Sequence, residues 1–251
     1  MEIVLLTAAG IGGSTVIGAL IGMLFRNLSH RASDMLLGFA AGVMLAASVL
    51  GLILPSVELG GSYGVLIASI GILVGAVFLS FLDRLTPHLH NLAGVDEEAH
   101  RHNAALNKVL LFVLAIAIHN LPEGIAAGVS FGTGNPGDTL SVATGICLQN
   151  IPEGMIIIGP LLAAGVSRGR TFAIAACTGL VEVVGTVLGY FAISVASAIL
   201  PFALAFAGGT MLYVISDEMI PETHHNGNQK LATYSLLVGF CIMLVMDYYI
   251  G

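Results

Sequence analysis

The sequence predicts an all-α membrane protein of eight transmembrane helices, and three observations predict it. Of 251 residues, 57% are hydrophobic and only 9% are charged, where soluble domains carry about 25% charged residues; mean hydropathy is +0.97. The apolar residues fall into eight continuous runs, each close to the roughly 20 residues that a helix needs to cross the hydrocarbon core. The runs do not alternate in polarity as barrel strands do, and a lone segment in lipid satisfies its own backbone only as a helix.

Taken in order, the first run is Ile3 to Phe25. Glu2 precedes it in place of a basic stretch, and the run is longer than the core of a signal peptide, so it reads as a retained helix. Small residues recur along it at every fourth position (Gly10, Ser14, Gly18, Gly22), and the second run, Met35 to Val57, repeats this with Gly38, Gly42 and Ala46. Such ridges permit close helix approach. The third run, Tyr63 to Leu82, leads into the one long connection, Asp83 to Lys108. The fourth (Val109 to Phe131), fifth (Thr139 to Ala164) and sixth (Phe172 to Ile193) are interrupted by polar residues, and Pro201 to Ile220 and Leu231 to Ile250 complete a single polytopic domain over residues 1–251.

All eight Lys and Arg residues (Arg26, Arg31, Arg84, Arg101, Lys108, Arg168, Arg170, Lys230) fall in the odd-numbered connections. By the positive-inside rule both termini then lie outside the cytoplasm. A formal net charge of -7 argues against nucleic acid as a partner. Cys147, Cys177 and Cys241 all lie within spans and offer neither a CxxC nor a disulfide framework; they read as small apolar packing residues.

The interruptions carry the chemistry. The fourth run holds HNLPEG (His119, Asn120, Glu123), the fifth QNIPEG (Gln149, Asn150, Glu153) 30 residues later, and the sixth Glu182. An acid at mid-helix costs roughly 2.5–3.5 kcal/mol on insertion scales, so something must offset it. At i, i+4 spacing His119 shares a face with Glu123 and Gln149 with Glu153, and at i, i+3 Asn120 and Asn150 are expected to reach the same glutamates. Pro122 and Pro152 release the carbonyls of Ile118 and Leu148 beside them. No Lys or Arg lies inside any run, so the three acids are either protonated, as in a proton pathway, or they hold a cation. Imidazole, carboxylate and amide donors together suit Zn²⁺, Fe²⁺ or Mn²⁺ better than Cu(I), Mg²⁺ or Ca²⁺. A lone polar residue in a span is often only a helix–helix hydrogen bond worth about 0.6 kcal/mol. Packing does not need the same order of His/Gln, Asn, Pro, Glu and Gly twice, and adjacent antiparallel copies imply a two-fold axis in the membrane plane.

HNLPEG, QNIPEG, GLVEVVG around Glu182 and SDEMIPE (Ser216 to Glu222) together resemble the ZIP (Zrt-/Irt-like) metal transporters, in particular their bacterial GufA-like branch, over nearly the whole chain. The resemblance implies an eight-helix bundle with inverted pseudo-symmetry around helices four and five, in a bacterial inner membrane. It implies uptake of Zn²⁺ and related ions (Cd²⁺, Fe²⁺, Mn²⁺) through a two-metal site. One ion would take His119, Glu123, Gln149 and Glu153, and a second Asn120, Glu123, Asn150, Glu153 and Glu182. Some members carry aspartate where this chain has Asn150, which removes a charge from the second position. It implies also an elevator-like motion of helices one, four, five and six against two, three, seven and eight, and a homodimer. Met44 is similar to a position lining the outer pathway, and Asp217 and Glu218 fall where the family places exit ligands.

Other candidates rest on the residues themselves. Glu58 and Asp138, at outer helix ends, could draw cations to a mouth. The third connection holds His88, His90, His100 and His102 with Asp96, Glu97 and Glu98, a pattern suited to loose metal capture or to a solvated linker; His224 and His225 could contribute similarly. Two other classes compete: an intramembrane metal-dependent hydrolase, for which no HExxH-type motif is present, and a proton or monovalent-cation pathway through neutral acids.

Overall fold

The computed structural model describes residues 1–25, 28–92 and 104–251, without the side chains of residues 83–92 and 104–112. It is helical throughout, and eight of its helices are long and apolar enough to cross a membrane. These are α1 (Glu2–Leu24), α2 (His30–Leu59), α3 (Gly64–Leu92), α4 (Ala104–Ser130), α5 (Pro136–Ala163), α6 (Arg168–Val195), α7 (Ser197–His224) and α8 (Gln229–Ile250). The described ends of the third connection are helical. Helix α3 runs on to Leu92 and α4 begins at Ala104, so His88 and His90 fall on the end of a helix. His100 and His102, like the side chains of His88 and His90, lie outside the described residues.

Local signals explain several boundaries. The Ser29 side chain accepts from Ala32 N at 3.2 Å to start α2, and Asn135 accepts from Gly137 N at 3.0 Å, with Pro136 at the first helical position of α5. Two helices change pitch late. In α2 the segment Val49–Ile53 is a π-turn, and in α7 Ile215–Met219 is another. Each is followed two residues on by a proline, Pro55 or Pro221. A proline clashes with the carbonyl four residues earlier, here that of Gly51 or Asp217, and widening the helix by one residue absorbs the clash.

The tightest neighbours are α4 with α6, α1 with α5, α2 with α8, α3 with α7, and α1 with α6. Exchanging α1 with α6, α2 with α7, α3 with α8 and α4 with α5 carries this set of pairs onto itself. Exchanged helices are an odd number of spans apart and so run in opposite directions, which is the inverted pseudo-symmetry that the repeated motif predicts. Both π-turns obey it. So does the glycine packing: a Cβ on Gly12 would strike Gly179 O and one on Gly179 would strike Gly12 O, while Gly154 abuts Thr15 O just as Gly124 abuts Glu182 O. Helices α1, α4, α5 and α6 are thus joined backbone to backbone, as are α2 and α8 through Gly38, Gly42 and Gly239. One residue of the expected ridge departs: Gly10 is exposed and meets nothing within 4 Å, and Gly12 takes its place in the contact. The apolar surface left over, including Val65, Leu73 and Val77 on α3 and Tyr248 and Tyr249 at the end of α8, faces outward as lipid contact requires.

Candidate metal site

Every residue of the two motifs is brought to the middle of the bundle. His119, Asn120, Glu123, Gln149, Asn150 and Glu182 are buried, and Glu153 is half-buried. A cavity of about 910 Å³ runs to them from the end of the molecule where α2 begins and α7 ends. His119, Asn120, Glu123 and Glu153 line its inner end, Asp217 and Glu218 its flank, and His30, Glu222 and His225 its mouth. Gln149, Asn150 and Glu182 lie behind that lining. The mouth is on the face that carries the basic connections: Arg168 and Arg170 open α6 there, and Lys230 opens α8.

The pseudo-equivalent face is shut. There the π-turn of α2 packs on α4, α5 and α7, with Leu52 and Met44 fully buried beside Val142 and Ile146. Leu52 occupies in that π-turn the place that Glu218 occupies in the other. Met44 is therefore a packing residue in this arrangement. Glu58 is exposed at the shut end, and Asp138 accepts from Asn135 Nδ2 at 2.6 Å within the first turn of α5.

The polar contacts differ in two respects from those that helical spacing predicts. His119 does not close on Glu123; its Nε2 lies 2.6 Å from Glu218 Oε1, across the cavity on α7. The π-turn makes this possible by re-aiming residues 217 and 218. Nor do the asparagines turn to Glu123 and Glu153. Asn120 Nδ2 donates to Glu182 Oε1 at 2.5 Å and Asn150 Nδ2 to Glu182 Oε2 at 2.6 Å, because close glycine packing brings α6 within reach of both. Thr15 Oγ1 of α1 donates to Glu182 Oε1 at 2.9 Å; sequence reasoning missed this residue.

What is left unpartnered is informative. Both carboxylate oxygens of Glu123, both polar atoms of the Gln149 side chain, and Oδ1 of Asn120 and of Asn150 are buried without a hydrogen bond. Buried polar groups are nearly always satisfied, and a carboxylate with no protein cation beside it is the costliest exception. The chemistry of the orphaned atoms, carboxylate and amide oxygens beside an imidazole, fits a borderline divalent ion. Among the described residues no three His, Cys, Asp or Glu side chains converge closely enough to hold an ion by themselves, in keeping with His119 being turned to Glu218.

The sequence is similar to those of known proteins. The family described as ZIP zinc transporter matches residues 87–247. The chain is 43% identical over 246 residues to the zinc transporter GufA of Myxococcus xanthus, covering 96% of each protein. It is 39% identical over 251 residues to the zinc transporter ZIPB of Bordetella bronchiseptica, covering 97% of this chain and 80% of that one. Against the zinc transporter ZupT of Chlorobaculum parvum it is 34% identical over 248 residues, or 93% of this chain and 92% of the relative. With helix count, repeated motif and relatives in agreement, the chain belongs to the ZIP family.

Proposed function

We propose that this protein carries divalent transition metal ions, zinc foremost, across the membrane into the cytoplasm by way of the buried site between α4 and α5. The observation that carries the reading is the orphaned carboxylate of Glu123 at the inner end of the cavity. The relatives' zinc-transporter names support the substrate. An ion there would be held by His119, Glu123, Gln149 and Glu153, and Cd²⁺, Fe²⁺ and Mn²⁺ share those donor preferences.

Charge distribution supports the direction. The basic connections set the cavity mouth in the cytoplasm and both termini outside, so this is an inward-open form. Release then follows from the pairing seen here: Glu218 competes for the His119 ring, and each His119–Glu218 contact removes one ligand from the ion. Asp217, Glu222 and His225 continue the polar route outward. The backbone-to-backbone union of α1, α4, α5 and α6 supports their moving as one body against α2, α3, α7 and α8. A homodimer rests on the family resemblance, and capture of ions by the loop histidines on the spacing of His88, His90, His100 and His102 among acids.

The test is zinc entry into sealed proteoliposomes carrying a fluorescent reporter, with cadmium and manganese alongside. Saturable entry is expected, and His119→Ala should cut it by more than the 10–100-fold typical of losing even an outer partner of a metal site. Proton movement that survives the substitution, with no zinc flux in the parent, would indicate a proton pathway; metal-dependent turnover without net flux would indicate a hydrolase. Acid should weaken zinc binding. Metal needs a neutral imidazole and ionised carboxylates, so protons compete with it as pH falls. Affinity that is the same at pH 7.5 and pH 5 would count against this ligand set.

A further inference from the structure

Glu182 is fully buried, and its carboxylate is already supplied with donors from three other helices: Asn120 of α4, Asn150 of α5 and Thr15 of α1. Neither amide can be turned round without loss. Asn120 Nδ2 also reaches Thr178 O, and Asn150 Nδ2 reaches Ile11 O, each at 3.3 Å. An inverted amide would set its oxygen against two acceptors at once. The nitrogen ends are therefore fixed on Glu182 and the backbone, and each Oδ1 remains free.

The pseudo-symmetry shows why the arrangement is lopsided. Gly12 and Gly179 meet on the axis, Gly18 on Ile151 matches Gly185 on Leu121, and Gly154 on Thr15 matches Gly124 on Glu182. Thr15 is thus the α1 counterpart of Glu182. One half supplies a carboxylate to the centre, and the other supplies a hydroxyl that donates to it.

We propose that in this chain Glu182 is a positioning residue and not an ion ligand, and that the site holds one divalent ion, not two. The proposal rests on the metal reading above. Three charge-assisted hydrogen bonds, two on Oε1 and one on Oε2, already occupy most of the acceptor sites of Glu182 and hold its carboxylate toward the asparagines and Thr15. Residue 150 decides the matter. Asparagine donates to Glu182, whereas aspartate would face it with a second carboxylate, a pair that a shared proton or a second cation relieves. Glu182 instead orients both asparagines, leaving their oxygens for the ion that Glu123 faces.

The experiment counts Cd²⁺ per chain by equilibrium dialysis and elemental analysis of the purified full-length protein. His88, His90, His100 and His102 are changed to alanine throughout so that the loop adds nothing to the count. One ion is expected in this background, two with Asn150→Asp, and one with Glu182→Gln, held about 10–100-fold more weakly because an orienting partner is disturbed. Two ions in the asparagine protein, or a count that falls by one in Glu182→Gln, would overturn the proposal by making Glu182 a ligand. An Asn150→Asp protein that still binds one ion would overturn the role given to residue 150. No ion on any of these proteins removes the metal reading and this proposal with it.

Discussion

Replacing Glu123 with alanine is expected to abolish zinc entry while leaving the metal-free protein as stable as before, or more so. The two halves of that expectation come from one observation. Both oxygens of Glu123 are buried and lack a hydrogen-bond donor in good geometry; the Gln149 amide lies beside them without satisfying them. A side chain in that state destabilises the empty fold, since a buried polar group left without a hydrogen bond costs about 1–3 kcal/mol. Its presence is explained by what it binds. It lies one helical turn from His119 on the same cavity-lining face, so its loss strips the ion of the carboxylate nearest the imidazole. Flux should fall at least about 100-fold, the upper end of what outer partners of a metal site cost, because this is a ligand itself. The apparent melting temperature of the metal-free variant should be unchanged or raised, and its stabilisation by added zinc, which reports binding to the folded state, should disappear. Zinc flux at the parental rate in Glu123→Ala would sink the site assignment. A variant that fails to fold would instead give Glu123 a structural role that its unpartnered oxygens argue against.

How far the sequence reaches can be judged residue by residue. The eight spans are legible because lipid demands length and apolarity, and both are visible in one dimension. The two motifs are legible because buried acids without cations are anomalous wherever they occur. The partners of those acids are another matter. Helical spacing ranks Glu123 and Glu153 as the neighbours of Asn120 and Asn150, yet both amides choose Glu182. That choice depends on how closely α6 approaches, and the approach is set by Gly124 and Gly185 against opposing backbone. Thr15 was hidden for the same reason. The available signal was a hydroxyl flanked at three residues by Gly12 and Gly18, next to Ser14 of the small-residue ridge. The contact of His119 with Glu218 needed the π-turn at Ile215–Met219, and the clue was Pro221 two residues on, mirrored by Pro55 after the π-turn of α2.

The close glycine packing makes a second strong prediction. In α1, Gly18→Leu should disable the transporter whereas Gly10→Leu should not, although both exchange the same residue in one helix two turns apart. A Cβ at Gly18 would overlap the O, C and Cα atoms of Ile151, all backbone, while at Gly10 nothing lies within 4 Å and the position is exposed. Side chains yield to an added methylene by changing rotamer; a helix backbone can yield only by moving as a whole. Overpacking a core usually costs about 1–3 kcal/mol, and here the cost should lie at or beyond the upper end, since α1 must back away from α5 along its length. Movement of α1 also withdraws Thr15 from Glu182 and Ile11 O from Asn150, so the centre of the site loses its order along with the interface. The comparison is read as apparent melting temperature in detergent and zinc entry in proteoliposomes. Gly10→Leu should match the parent in both, as an added leucine on a lipid-facing surface costs nothing in hydrocarbon. Equal damage from the two substitutions would mean that α1 tolerates neither for reasons of its own, and that the close α1–α5 approach does not hold the site together.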